Sequence, residues 1–377
     1  MKKKNILIIK FSYNTIGGVD KQILRISSEL NKSNSFNVML VTNEDNSQLA
    51  REFHLNGGNV FAVDFNNISL IKSSRKVLDL IKQHDIDIIQ SHLFRESIIC
   101  RLVKLRYFKI KHLFRVQTFI DCAWIPTWKK NIYHFLDFIS SMFVNIYVAN
   151  GPVVEKEIIN RSKIKKNKIV NIINGTEKIG EPDILNVDIL PKKMAMIANL
   201  FGKKGHDVLI QTLALLKKND LIINVRLIGS ELNEFHDGSE SNFKAELIKI
   251  ATEQGVIDQL EFYGYTKDIT KALMNIPIVV LPSDSEGVPN SILEAMSLKK
   301  IVVASNVGAV STLIEDGKSG FLHSPQNPEQ FAHVLLNIFS MEKEKLNEIR
   351  QYAFSQWQTN FTLDLMLNKL IKTYNLI

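Results

Sequence analysis

Short apolar runs alternate with helix-length amphipathic stretches along the whole chain. Runs such as ILII (6–9) and IVVL (278–281) are too short for helices and apolar on every position, as strands covered on both faces are. The segments between them carry apolar residues at helical spacing, so the pattern predicts parallel sheets flanked by helices. In the first half the strand candidates are 5–9, 37–42, 59–62, 86–90, 112–117, 145–149 and 169–172. In the second half they are 193–197, 222–228, 260–263, 278–281, 301–304 and 320–322. The alternation lapses at GEPDILNVDILPK (180–192), where two prolines and two aspartates mark a linker. It separates an α/β domain over 1–183 from a second over 191–354. The tail 355–377, with Trp357, Phe361, Leu367, Leu370 and Tyr374 near helical spacing, predicts a closing helix that crosses back to the first domain.

The bulk numbers agree with two cores. A chain of 377 residues with 45% hydrophobic content exceeds what one core usually supports. The net charge of +8 is uneven: residues 1–183 hold 28 Lys and Arg against 17 Asp and Glu, and residues 184–377 hold 19 against 22. The two halves therefore face different partners. Cys100 and Cys122 lie in no CxxC pair, which argues against a disulfide framework or a zinc site and fits a reducing cytoplasm. The opening MKKKNILIIKF has about half the apolar run of a signal peptide and reads as a strand. The longest apolar stretch, 132–148, is broken by His134, Asp137 and Asn145 and reads as a helix running into a strand, so no membrane span is expected.

Chemistry concentrates in SDSEGVPNSILEAM (283–296). A buried strand ends just before it, and Pro289 falls where a proline is favoured, in the first turn of a helix. The helix dipole and free backbone N–H groups there suit a diphosphate. Glu286 precedes the helix and Glu294 lies along it, so the two carboxylates can take hydroxyls on either side of such an anion. The bland alternative is a pair of ordinary helix-start acids.

Elsewhere the signals are weaker. Lys204 follows a strand and can neutralise a leaving diphosphate, although the adjacent Lys203 makes a solvated loop lysine an alternative. Gly17 and Gly18, in NTIGGVDKQIL between strand and helix, allow close backbone approach to a phosphate or sugar, or merely a tight turn. His92 ends a strand and should face the ligand edge as a hydrogen-bonding imidazole; a satisfied structural histidine is the bland reading. From Arg101 to Arg115 the chain holds six basic residues and no acid, interleaved with Leu, Tyr and Phe, which suits peripheral contact with an anionic membrane surface. No nucleic-acid motif accompanies that charge. Asp85 and Asp87 in DID read as a pre-strand turn rather than metal ligands, and neither a metal nor a cofactor is expected.

The spacing E-G-x-P-x-x-x-x-E from Glu286 to Glu294 resembles the hallmark of glycosyltransferase family 4, retaining enzymes of the GT-B fold. The resemblance extends through Asn174–Gly175, IANLFGKKGHDVLI, RLIGSE, FYGYTKDI and SNVGAVSTLIEDGKSGFLHSPQNPEQFA. It implies two Rossmann-like domains with parallel sheets facing a central cleft. It also implies that Glu286 contacts the transferred sugar and Glu294 the ribose, with Gly287, Val288, Pro289, Asn290 and Ser291 beside the phosphates and sugar. By the same resemblance Lys204 is the functional lysine, Gly229 and Tyr265 lie on donor-side turns, and Gly17–Gly18 form a loop over the donor phosphates or the acceptor. Two departures stand out. Asn199 occupies the place of a usual arginine, and RVQTFIDC has no histidine where the family often carries one, leaving Asp121 beside His92 as a first-domain candidate.

The resemblance thus implies transfer of a hexose or N-acetylhexosamine from a nucleoside diphosphate sugar, UDP favoured, to a hydroxyl of a lipid-linked glycan in bacterial-type surface polysaccharide synthesis. The location implied is cytoplasmic, peripheral on the inner membrane face. Competing readings are a nucleotide-sugar epimerase of the same architecture and a non-catalytic binding subunit. A dinucleotide oxidoreductase is disfavoured because NTIGGVD stands where G-x-G-x-x-G would follow the first strand.

Overall fold

A computed structural model describes residues 3–11, 16–117, 127–180, 190–231 and 242–377. The chain forms two compact units, Met1–Asn174 with Met366–Ile377, and Gly175–Leu365.

The first unit is built on β1 (Lys4–Ile9), β2 (Phe36–Thr42), β3 (Asn59–Ala62), β4 (Ile88–Ser91), β5 (Lys111–Val116), β6 (Ile146–Ala149) and β7 (Ile169–Asn171). The order is β3-β2-β1-β4-β5-β6-β7 and every pairing is parallel, with Ile8 of β1 opposite Leu40 and Gln90. Parallel neighbours need crossovers, and the intervening helices supply them, which is why both sheet faces are apolar. Leu7, Ile9, Val41 and Ile89 pack with Val77, Ile81, Ile99 and Val103 of the covering helices. The order reverses between β1 and β4, so the loops leaving those strands diverge at the carboxyl edge of the sheet.

The second unit repeats this plan with β8 (Lys193–Ile197), β9 (Asn224–Ile228), β10 (Leu260–Gly264), β11 (Ile278–Leu281), β12 (Ile301–Ser305) and β13 (Phe321–His323). Its parallel order is β10-β9-β8-β11-β12-β13, and the reversal falls between β8 and β11. Met194, Met196, Leu227, Val280 and Val303 pack on Leu209, Leu213, Phe331 and Leu335.

Each strand candidate corresponds to a strand, most with ends displaced by a residue, and 86–90 and 222–228 beginning two residues later. The first shift has a local cause. Asp87 lies before β4 in a turn: its carboxylate accepts from Asn5 N at 2.8 Å, and Asp85 has φ +49. The apolar stretch 132–148 resolves into the helix Thr127–Ser140 and β6, and among the described residues no helix is long and apolar enough to cross a membrane. The linker lies mostly outside the described residues.

The tail is two helices, Lys343–Asn360 and Leu363–Leu376, instead of one. At the break, Thr176 pairs with Thr362 along the main chain, and Trp357 Nε1 donates to Thr176 Oγ1 at 2.9 Å. A Cβ on Gly175 would lie 2.3 Å from the Thr362 carbonyl oxygen, so only glycine fits there. The last helix then joins the first unit: Tyr374 is fully buried, its hydroxyl donates to Gln90 of β4, and Lys4 Nζ reaches its carbonyl at 2.8 Å.

The basic run from Arg101 to Arg115 is not one surface, which corrects the expected anionic-membrane contact for three of its six basic residues. Arg101, Lys104 and Arg115 are buried. Arg101 pairs with Asp137 at 2.7 Å, Lys104 donates to the Ile110 carbonyl at 2.6 Å, and Arg115 donates to Asn174 Oδ1 at 2.9 Å. A buried cation must find such partners, and here they are inside the unit.

Candidate functional site

In the second unit the loops after β8 and β11 meet at the reversal of strand order. Lys204 closes a short 3-10 turn, Gly202–Lys204, and Glu286 lies between β11 and the helix Asn290–Ser297. Lys204 Nζ is 2.7 Å from Glu286 Oε1, and Ser283 Oγ donates to the same oxygen at 2.7 Å. The lysine side chain is 29% exposed against 9% for the glutamate, so the ammonium is the member an incoming anion meets.

The backbone holds this pair in place. Asp284 N donates to Lys203 O at 2.9 Å, and Ala309 N donates to Gly287 O at 3.3 Å. Gly205 has φ +74, and a Cβ there would come within 1.9 Å of the Pro282 oxygen. Gly308 has φ +54, and its Cβ would come within 1.8 Å of the Glu286 oxygen. The loop carrying Glu286 is therefore clasped by main chain on both sides, where no side chain fits.

Pro289 is the residue that caps the helix Asn290–Ser297, with φ −73, one step before the first-turn position expected for it. No side chain caps this helix, so its first N–H groups are suited to an anion. Gly287, Asn290 and Ser291 are half-buried beside it, and Val288 is buried. Glu294 lies in the second turn, along the helix as expected, and is only 3% exposed.

The remaining donor-side candidates divide by role. Asn199 Oδ1 accepts from Ser230 N at 3.2 Å, which fixes the loop after β9. Gly229 serves close packing, since a Cβ there would lie 2.0 Å from the Ala198 oxygen. Tyr265 is 41% exposed after Gly264, whose φ is +80. His206, beside Lys204, is held neutral: burial first and the lysine second push its pKa down to about 4.

In the first unit, Gly17 caps the helix Gly18–Lys32 and donates its N–H to Asp20 Oδ2 at 2.8 Å. Gly18 is exposed. Lys10, directly after β1 and 3% exposed, lies 3.5 Å from Asp20 Oδ1. Glu96 Oε1 accepts from Phe11 N at 3.1 Å, and burial raises its pKa against the pull of Lys10. His92 follows β4 as expected, yet it is 1% exposed and its Nε2 contacts Gln90 Nε2 at 2.8 Å. Its Nδ1 is buried with no hydrogen-bond partner among the described residues, and burial, then Arg115 and Lys10, lower its pKa well below the usual histidine value. His92 therefore stands just past the carboxyl end of β4 with its ring enclosed. Asp121 lies outside the described residues. Among those residues, no group of three metal-ligating side chains converges.

Sequence reasoning missed Ser283, Lys10, Asp20 and Glu96. Two of these had a legible signal: Ser283 precedes Glu286 by three, and Asp20 follows Gly17 by three, both the spacing of reciprocal capping. Lys10 and Glu96 had none, because their burial depends on strands distant in sequence.

Two family models match. Glycosyltransferase Family 4 covers residues 16–177, and Glycosyl transferases group 1 covers residues 182–356. An uncharacterized glycosyltransferase of Haemophilus influenzae is 28% identical over 45% of each chain. The UDP-Gal:alpha-D-GlcNAc-diphosphoundecaprenol alpha-1,3-galactosyltransferase of Escherichia coli is 22% identical over 72% of each chain. The matches span between about a third and about a half of the length of the first curated relatives. Anabaena HepE in complex with UDP and glucose superposes with a TM-score of 0.83 at 18% identity, over 99% of each chain.

Proposed function

The chain belongs to glycosyltransferase family 4, the group 1 glycosyl transferases of GT-B fold, and on that premise we propose that it transfers a hexose or N-acetylhexosamine from a nucleoside diphosphate sugar to a hydroxyl of a lipid-linked glycan. The observation that carries this reading is the Lys204–Glu286–Ser283 cluster beside an uncapped helix start. A cation, a carboxylate and a helix start without a side-chain cap together match a sugar diphosphate, whose charge sits between two sets of hydroxyls.

In this reading Lys204 and the first N–H groups of the helix Asn290–Ser297 hold the diphosphate. Its arrival draws Lys204 from Glu286, leaving the carboxylate to accept from hydroxyls of the transferred sugar. Glu294 takes the ribose diol, and Asn199, Gly229 and Tyr265 shape the donor side. Attack comes from the face the leaving group departs, with a phosphate oxygen taking the acceptor's proton, so the anomeric configuration is retained. In the first unit Gly17–Gly18, His92 and Asp121 are assigned to acceptor and phosphate contacts. UDP is the favoured nucleotide, supported by the bound ligand named for HepE; the acceptor class is supported by the diphosphoundecaprenol named for the E. coli relative. Such an acceptor places the enzyme at the inner membrane face.

The test is release of free nucleoside diphosphate from a panel of UDP- and GDP-sugars, with and without lipid-linked saccharide acceptors. Acceptor-dependent release, lowered at least about a hundredfold in kcat by Lys204→Ala, is expected. Isomerised sugar without acceptor would replace this reading with an epimerase. Unchanged turnover in Lys204→Ala would remove the role given to that lysine.

A further inference from the structure

The helix Thr127–Ser140 presents its faces the wrong way round for an ordinary surface helix. Trp128, Ile132, Phe135, Ile139 and, just past its end, Met142 recur every three or four residues and so form a single stripe. They are 61, 47, 62, 47 and 70% exposed. On the opposite side lies Asp137, fully buried. Its Oδ1 takes Arg101 Nη2 at 2.7 Å, and its Oδ2 takes Arg161 Nε at 3.0 Å and the Ser162 hydroxyl. The charged side of the helix is thus bolted to the domain and the apolar side faces outward. Scattered exposed apolar residues are normal, but a contiguous stripe of five is an interaction surface. Phe108, 69% exposed, widens it, with its ring 6.3 Å from that of Phe143.

Charge decides the occupant. Within 99–116 and 127–154 the sole carboxylate is Asp137, which points inward, whereas Lys109 is exposed and Lys111 half-buried beside Phe108. A second copy of this chain would bring the same basic rim against itself across a two-fold axis, with no outward carboxylate among the described residues of these segments to answer it. An anionic leaflet answers both the stripe and its rim. We propose that this face seats on a bilayer surface bearing anionic headgroups, the stripe entering the acyl boundary and the lysines meeting the phosphates. The stripe lies on the helix that follows the basic run 101–115, from which only Phe108, Lys109 and Lys111 join it while Arg101, Lys104 and Arg115 are buried, and its membrane contact does not depend on the enzyme's substrates.

Vesicle co-sedimentation tests it on the full chain, with no nucleotide or acceptor present. Wild type should pellet with phosphatidylcholine vesicles containing phosphatidylglycerol and far less with phosphatidylcholine alone. Phe135→Ser with Ile139→Ser, exposed positions whose exchange should leave the circular dichroism and melting curve unchanged, should weaken binding at least about tenfold. Lys109→Ala with Lys111→Ala should lower binding to anionic vesicles while leaving the weak binding to neutral ones. Wild type remaining in the supernatant with anionic vesicles, or the serine variant pelleting like wild type, overturns the proposal. So does a dimer in sedimentation equilibrium that the serine variant dissolves without any vesicle binding, which would assign the face to a second copy.

Discussion

Gly308→Ala is the perturbation whose consequence the structure specifies most closely. A methyl at this position would sit 1.8 Å from the Glu286 oxygen and 2.9 Å from its carbonyl carbon, where real contacts stay beyond about 3 Å. Either the segment around Gly308 or the Glu286 loop must then retreat by about 1 Å. Three costs add: about 1 kcal/mol for alanine at φ +54, about 1 kcal/mol for the weakened Ala309 N–H to Gly287 O bond, and the strain of moving the loop. Destabilisation of about 2–4 kcal/mol is expected, a melting shift on the order of 5–10 °C. A displacement of that size at Glu286 should also lower donor-dependent turnover on the order of a hundredfold. Gly317→Ala is the control. Its φ is +73, but no atom lies within 4 Å of the added Cβ, so it should cost about 1 kcal/mol and leave turnover unchanged. Melting curves and initial rates for both variants settle the matter. If Gly308→Ala is no less stable than Gly317→Ala, or turns over like wild type, the clasp on Glu286 is refuted.

Two further outcomes follow from buried charge. Asp137→Ala leaves Arg101 and Arg161 without their shared carboxylate, and should cost about 3–5 kcal/mol in urea unfolding of the first unit; a loss below about 1 kcal/mol would contradict the buried cluster. Acid should also weaken the second unit through His206: the unfolded chain binds a proton near pH 6.5 and the folded chain only near 4, so stability is full above about 6.5 and falls as pH drops toward 4. That single histidine accounts for about 3 kcal/mol over the window, and His206→Gln should flatten the slope of unfolding free energy against pH; an unchanged slope would refute it.

The strands were legible because continuous apolar runs of four to seven residues leave few alternatives, and only their edges moved, as at Asp87 where a side-chain bond holds the turn. Glu286 and Lys204 were legible from loop position and motif spacing. The buried cations were not. Arg101 finds Asp137 36 residues away and Arg115 finds Asn174 59 residues away, so a local window sees only a basic run. The outward stripe on Thr127–Ser140 escaped for a related reason. Periodicity reveals that a helix has an apolar face, but which face is turned inward depends on Arg101 and Arg161, outside the helix. His92 was placed correctly along the chain, while its enclosure depends on Gln90 and the packing around it.

The central claim is that the second unit binds a nucleoside diphosphate sugar through Lys204 and Glu294. Thermal shift against a panel of UDP- and GDP-sugars measures this directly, because a ligand at a hundred times its Kd stabilises the fold by about 2.7 kcal/mol. At least one donor, UDP-linked on the favoured reading, should raise the melting temperature, and Glu294→Ala and Lys204→Ala should each remove most of that rise. No shift with any nucleotide sugar, or a shift undiminished in both variants, would contradict the account.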